Sequence, residues 1–125
     1  MKAIATDKAP QAVGPYSQAM EHGNLVFVSG QLGLDPAAMK LVEGGVEAQA
    51  EQVFANIKAV LAAAGLDFSS VIKATVFLMD MADFKAVNAI YAKHFGDHKP
   101  ARAAVQVAGL PLGGLVEVEC VAVRG

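Results

Sequence analysis

The segment from Leu115 to Val123 constrains the fold more than any other stretch of the chain. Its smaller apolar residues recur at every second position and share one face of an extended strand: Val116, Val118, Cys120 and Ala122. Glu117 and Glu119 fall on the opposite face. This period of two residues is typical of a strand that buries one face. A second apolar segment, Ala103–Ala108, precedes it across a glycine-rich turn, so we predict a two-stranded hairpin.

Three charged side chains belong to this predicted hairpin. Arg102 stands at the mouth of its first strand, and Glu117 and Glu119 lie on its second. Burying a charge is costly unless the charge is paired or a ligand supplies its partner. Two interpretations are therefore open: Arg102 forms a structural ion pair with Glu117 or Glu119, or it binds an acidic ligand. In the second case the hairpin holds a binding site.

The length of the chain, 125 residues, suits one domain over residues 1–125 with a single core. Hydrophobic residues make up 54% of the chain and charged residues 18%, so we expect the apolar surplus to cover subunit interfaces. No apolar run approaches the roughly 20 residues of a membrane span, and the first residues lack a signal-peptide core. One cysteine suits the cytosol, where we place the protein. A net charge of −2 gives no reason to expect a nucleic-acid partner.

The rest of the chain predicts further strands and two helices. The strands are expected at Lys2–Thr6, Tyr16–Glu21, Leu25–Ser29 and Val71–Met79. The helices are expected at Val46–Ala64 and from Asp80 or Asp83 to about Phe95. Gly30 is expected to break the third strand. Right-handed crossovers place both helices on one face of a mixed six-stranded sheet, which gives an α+β fold. The other sheet face is apolar and uncovered, so we expect another subunit to cover it.

Four motifs occur in order along nearly the whole chain: GPYSQA (Gly14–Ala19), VFVSGQ (Val26–Gln31), VFLMDMADFKAVNAIY (Val76–Tyr91) and PAR…LP…VEVE (Pro100–Glu119). With them the chain resembles the YjgF/RidA family of enamine and imine deaminases, also described as translation inhibitors. The resemblance implies a chorismate-mutase-like α+β subunit in a homotrimer, with the sheets lining a central barrel and the sites between neighbouring subunits. It also implies hydrolysis of 2-imino acids, the tautomers of 2-aminoacrylate and 2-aminocrotonate, to 2-oxo acids and ammonia without a cofactor.

The resemblance assigns catalytic roles to three residues. Arg102 is the expected anchor, because a guanidinium pairs with a substrate carboxylate in a bidentate fork and stays charged at any working pH. Glu117 is expected to orient the attacking water, take its proton and return one to the departing ammonia. Tyr16 is expected to line the cleft and hydrogen-bond the substrate. From the residues alone, two alternatives stay open: Glu117 is a structural partner of an arginine, and Tyr16 is a packing residue with its hydroxyl at the rim.

Further substrate contacts are expected from the same motifs. Ser29 and Gly30 match a turn in which a backbone N–H can approach a ligand closely. Asn88 matches an asparagine of the second helix, and Arg102 contributes to binding as well. Ala104 stands where many members carry cysteine or serine, so its backbone alone would contribute. For Ser29, Gly30 and Asn88, a role in ending a strand or in bridging backbone segments is an open alternative.

Two other functions remain as alternatives. A trimer that binds small 2-oxo acids without turnover would need the same anchor, so the sequence does not separate it from a deaminase. An endoribonuclease or translation inhibitor is less favoured, because the net charge is negative and no basic–aromatic patch is present. No metal site is expected, since His94 and His98 flank Gly96 without a third ligand nearby.

Overall fold

The chain folds into one six-stranded sheet with two helices, and the computed structural model describes all residues from Met1 to Gly125. The strands are β1 Lys2–Ile4, β2 Ala19–His22, β3 Leu25–Leu32, β4 Val71–Leu78, β5 Ala101–Gln106 and β6 Val116–Val123. The helices are α1 Gly45–Ala63 and α2 Phe84–Phe95. The spatial order is β1-β2-β3-β6-β4-β5, in which β4 and β5 run parallel and all other neighbours run antiparallel. The α+β fold with a mixed sheet is therefore confirmed.

The predicted hairpin between β5 and β6 is wrong, because β4 lies between them. β6 pairs with β3 on one side and β4 on the other, and β5 pairs only with β4. The apolar face of β6 is almost fully buried, so a central position lets it pack under the helices. β5 is exposed at most of its residues and stays at the edge. It also begins at Ala101, so Arg102 lies inside the strand rather than at its mouth.

Several other boundaries differ from the sequence prediction, and two of these differences concern expected site residues. β2 begins at Ala19 instead of Tyr16, because the buried Gln18 amide bonds the Thr6 and Pro10 carbonyls and holds this segment as a loop. β3 continues past Gly30 to Leu32, so Gly30 does not end the strand. The pairing register shifts between Val28 and Gln31, which is a bulge that absorbs the glycine without ending the ladder.

Both helices pack on one face of the sheet, as predicted, and form a single core with it. The buried apolar residues of α1 include Val53, Phe54, Ile57, Val60 and Leu61, all at most 1% exposed. α1 ends at Ala63, one residue before the predicted end, and Gly65 follows it as predicted, with a φ of 75° that suits the left-handed position after a helix. The N–H groups of Gly65 and Leu66 bond back to the Ala62 and Leu61 carbonyls.

No helix covers the second face of the sheet. Phe27 and Val105 lie on this open face and are 47% and 41% exposed. Glu117 and Glu119 lie on it as well, because β6 alternates as the sequence predicts. Neither helix of the protein combines the length and the hydropathy that crossing a membrane requires.

Candidate active site

Arg102 lies on the face of the sheet that carries the helices. On β5 it stands beside Ala74 of β4, which in turn pairs with the buried Cys120 of β6. Its Nη1 donates a hydrogen bond to Asn88 Oδ1 at 2.5 Å. The guanidinium carbon lies 5.3 Å from the ring centre of Phe84 and 4.8 Å from that of Tyr91. These distances lie within the range of a cation–π contact.

No carboxylate pairs with Arg102. The ion pairs of the structure join Glu51 to Lys93 and His94, and Glu21 to Arg124. The expectation of a structural ion pair between Arg102 and Glu117 or Glu119 is therefore wrong. The reason is the strand order, which turns the carboxylates to the open face while Arg102 faces α2. A guanidinium without an acidic partner is available to an anionic ligand.

One face of α2 supplies all three contacts to the guanidinium. Phe84, Asn88 and Tyr91 follow a spacing of four and three residues, which aligns them along one side of a helix. The helical period assigns Phe84 and Tyr91 to the core, and it does not identify them as neighbours of Arg102. Tyr91 is buried, while Phe84 is half-buried. The signal that could have revealed this role is the alignment of two aromatic rings with Asn88.

The space beside Arg102 is a cavity of about 400 Å³ at the end of α2. Its lining includes Asn88, Tyr91, His98, Lys99 and Arg102, and no aspartate or glutamate. His98 Nε2 bonds the Val71 carbonyl oxygen at 2.5 Å, so this ring is already held by the backbone. The cavity is therefore basic and carries an amide, which suits a small acid.

Glu117 lies on the open face of β6, between the buried Val116 and Val118. No hydrogen bond or ion pair within the chain engages its carboxylate, which is half-buried. Burial raises the pKa of Glu117, and the negative charge of Glu119 raises it further. A carboxyl group shifted in this direction exchanges protons closer to neutral pH than an ordinary glutamate, which is the property that a general base or acid needs.

Gly30 and Glu117 fit against one another at the bulge of β3. A Cβ atom at Gly30 would lie 2.9 Å from Cδ and 3.1 Å from Oε1 of Glu117. Contacts under 3 Å force something to move, so the glycine leaves the space that the carboxylate occupies. The sequence motif indicates Gly30 as a place of close approach, and in this chain the group that approaches is Glu117.

Ser29 lies next to Gly30 on β3, and Tyr16 lies in the loop before β2. Ser29 Oγ donates to the Ser17 carbonyl at 2.6 Å, which ties the loop of Tyr16 to β3. Tyr16 is 52% exposed and lines a separate cavity of about 670 Å³, formed with β1 and the 36–39 loop. This cavity and the Arg102 cavity share no lining residue. Ala104 is half-buried against the core, beside Val76.

The expected site residues therefore form two groups within one chain. Arg102, Asn88 and Ala104 lie with the helices, and Glu117 lies on the open face with Gly30 nearby. The sheet separates the two groups. Alternation along the strands explains the separation. Arg102 is aligned through Ala74 with Cys120 of β6, so these side chains share a face. Glu117 is an odd number of residues from Cys120 along β6, so its side chain points to the opposite face.

The chain places no group of three or more His, Cys, Asp or Glu side chains where they could hold a metal ion. His94 instead bonds Glu51 Oε1 at 2.8 Å and stacks on Phe54, with ring centres 5.1 Å apart. His94 and His98 thus both have structural partners between elements.

Comparisons with known proteins agree with this architecture. The sequence model of the family described as Endoribonuclease L-PSP matches residues 6–124. The chain is 55% identical over 122 residues to the 2-iminobutanoate/2-iminopropanoate deaminase of Capra hircus, covering 98% of this chain and 89% of the relative. RidA from Psychrobacter superposes with a TM-score of 0.95 at 52% identity, covering 99% of this chain and 100% of that one. E. coli TdcF, solved with bound serine, superposes with a TM-score of 0.95 at 41% identity, covering 100% of each chain. The chain therefore belongs to the Endoribonuclease L-PSP family, the YjgF/RidA family whose motifs its sequence carries.

Proposed function

We propose that the protein hydrolyses 2-imino acids, the tautomers of 2-aminoacrylate and 2-aminocrotonate, to 2-oxo acids and ammonia without a cofactor. The observation that carries this proposal is the guanidinium of Arg102, which is held by α2 beside a cavity free of carboxylates. A 2-imino acid offers the carboxylate that such an anchor recognises. Relatives named 2-iminobutanoate/2-iminopropanoate deaminase, 49–55% identical to this chain, support the same reaction.

The reaction needs one water and two proton transfers. Arg102 binds the carboxylate, and Glu117 takes a proton from water as the water oxygen bonds to the C=N carbon. Glu117 passes this proton to the imine nitrogen, which gives a carbinolamine and restores the carboxylate. Glu117 then takes the carbinolamine hydroxyl proton as the C=O bond forms, and returns it to the nitrogen as the C–N bond breaks and ammonia leaves. The sum is imino acid and water giving 2-oxo acid and ammonia, so no electron acceptor or donor is involved.

A homotrimer with its sites between neighbouring subunits completes the proposal. Arg102 and Glu117 lie on opposite faces of the sheet in one chain, so a site that uses both has to combine two copies. The uncovered face carries exposed Phe27 and Val105, which a second copy would bury. We propose that Tyr16, Ser29 and Gly30 complete the half of the site that holds Glu117.

Two features argue against ribonuclease activity, although the family description names it. The net charge is −2, and the carboxylates of Glu117 and Glu119 face the open side, where they would repel a phosphate backbone.

We also place the protein in the cytosol, because its single cysteine, Cys120, is a free and buried thiol. Burial raises the pKa of Cys120 to about 12, which makes it a poor nucleophile.

A coupled assay tests the proposed function. A serine or threonine dehydratase generates the imino acid, and the release of 2-oxo acid is followed with and without the protein. We expect the protein to accelerate release, in proportion to its concentration once the trimers have assembled. A protein that elutes as a trimer and binds 2-oxobutanoate, yet leaves the rate unchanged, would instead be a non-catalytic binder. Cleavage of RNA by the same sample, without an effect on imino acids, would favour the ribonuclease.

Replacing Gly30 with alanine should impair turnover through Glu117. The new Cβ would lie 2.9 Å from Glu117 Cδ, so the carboxylate has to move. A displacement of about 1 Å at a reacting group costs up to about 10²-fold in rate, and we expect kcat to fall between tenfold and that limit. Gly109→Ala is the matched control, because nothing lies within 4 Å of its new Cβ. Equal kcat values for the two variants would contradict the assigned position of Glu117.

A further inference from the structure

We propose that Tyr91 is a positioning residue for Arg102, with its ring acting as a fixed surface against which the guanidinium packs. The inference rests on the proposed function, since it concerns the anchor of that site. It goes beyond the family motifs, which place Arg102 and Asn88 in the site and assign no role to Tyr91. The following observations carry it.

The ring of Tyr91 packs against two other aromatic rings of the core. The Phe54 ring meets it edge-on, with centres 5.8 Å apart and planes at 82°, and the Phe95 ring lies at 4.5 Å and 31°. Tyr91 is 7% exposed. An aromatic ring packed against two others inside a core has one position, so it can serve as a fixed surface for a neighbouring side chain.

Arg102 is the group that this surface would orient. It is exposed and lies on the edge strand β5, without a carboxylate to fix it. A free arginine side chain loses much rotamer freedom when it binds a ligand, and this loss weakens binding. The guanidinium carbon lies 4.8 Å from the centre of the Tyr91 ring, and Nη1 donates a hydrogen bond to Asn88 Oδ1. These contacts orient the guanidinium before the substrate arrives.

The hydroxyl group of Tyr91 can be separated from the ring by experiment. It is buried and has no hydrogen-bond partner in the structure. Burying a hydroxyl without a partner destabilises a fold. Tyr91→Phe removes this unpaired group and keeps the ring against Arg102. Tyr91→Leu removes the ring and keeps a side chain that fills part of the core.

The test measures kcat, KM and melting temperature for both variants in two backgrounds, the natural chain and Arg102→Lys. A lysine is a point charge that does not stack as a flat guanidinium does. We expect Tyr91→Leu to raise KM by about tenfold, with a smaller effect on kcat, because a preorganised contact is lost. Tyr91→Phe should keep KM within about twofold of the natural value, and it should raise the melting temperature above that of the natural chain. In the Arg102→Lys background, Tyr91→Leu should leave KM unchanged.

Val87→Ala is the control for a general loss of packing, since Val87 is buried on the same helix and does not line the Arg102 cavity. It should lower the melting temperature without changing KM. Equal increases of KM for the phenylalanine and leucine variants would overturn the role of the ring. A KM increase for Tyr91→Leu that persists in the Arg102→Lys background would show that Tyr91 acts independently of Arg102. Failure of the proposed function has a different signature: no variant of Arg102 would then change turnover.

Discussion

Replacing Arg102 with alanine is expected to remove nearly all turnover of 2-imino acids while the chain stays folded. The guanidinium donates a hydrogen bond to Asn88 and contacts the Phe84 and Tyr91 rings of α2. No carboxylate of the chain forms an ion pair with it. In the proposed complex, Arg102 pairs with the substrate carboxylate. Removing one partner of such a charged pair costs about 2–5 kcal/mol, which corresponds to a loss of roughly 30- to 5000-fold in kcat/KM. The coupled dehydratase assay measures this loss directly. Because Arg102 is exposed, its removal should change the melting temperature little.

Arg102→Lys is the informative companion to this variant. It keeps a positive charge and loses the bidentate fork, so we expect an intermediate kcat/KM. Size-exclusion chromatography shows whether both variants assemble as the natural chain does. If Arg102→Ala retained the natural rate while assembling normally, the anchor would have to be a different residue. Lys99, which lines the same cavity, would then be the next side chain to test.

Replacing Glu117 with glutamine should lower kcat far more than it weakens binding of 2-oxobutanoate. A positioned base contributes about 10²- to 10⁴-fold to a rate, and glutamine has nearly the same shape without a proton to exchange. Affinity for the unreactive 2-oxo acid, measured by calorimetry, should change little because Arg102 remains. Equal losses in kcat and in affinity would instead assign Glu117 to the architecture of the site.

The raised pKa of Glu117 adds an expectation about pH. Burial, and then the charge of Glu119, raise the pKa of this carboxyl in the folded chain above its ordinary value. The folded protein therefore holds this proton more tightly than the unfolded chain does. The resulting stabilisation is complete below the ordinary glutamate pKa and is lost as pH rises through the higher, folded value. At neutral pH, Glu117→Gln should melt above the natural chain, and the difference should shrink in acid.

The same shift should appear in the rate. Turnover needs the ionised carboxylate, so the acid limb of kcat should lie above the ordinary range of glutamate, and Glu117→Gln should lack that limb. Glu119→Gln removes the neighbouring charge and should move the limb to lower pH, with turnover retained. A limb that stays in place in Glu119→Gln would show that another group titrates.

Local patterns predicted much of this fold, and long-range pairing was the part that they left open. The two-residue period of β6 identified its buried face, and Gly65 marked the end of α1, because both depend on neighbours in sequence. The same period does not say which strands are adjacent, so β5 and β6 looked like a hairpin although β4 separates them. Strand order depends on how much apolar surface each arrangement buries across the whole chain.

In the candidate site, too, the short motifs could be predicted and the long-range contacts could not. The motifs identified Arg102, Asn88, Gly30 and Glu117, but they did not show that Arg102 and Glu117 reach opposite faces of one sheet. The bulge at Gly30 was not predicted either, because it is a feature of the pairing between β3 and β6, which are distant in sequence. Tyr91 showed only the helical period of a core residue, and its contact with Arg102 requires the packing of α2 against β5.

The separation of Arg102 and Glu117 by the sheet has a consequence for stoichiometry. In the proposed assembly each interface joins the Arg102 half of one chain to the Glu117 half of the next. A lone chain then completes no site, an open pair completes one, and a closed ring of three completes three. Turnover per chain would rise from zero to half and then to full as the ring closes. The rate would therefore respond to the amount of protein more steeply than in proportion at high dilution, and linearly once every ring has closed.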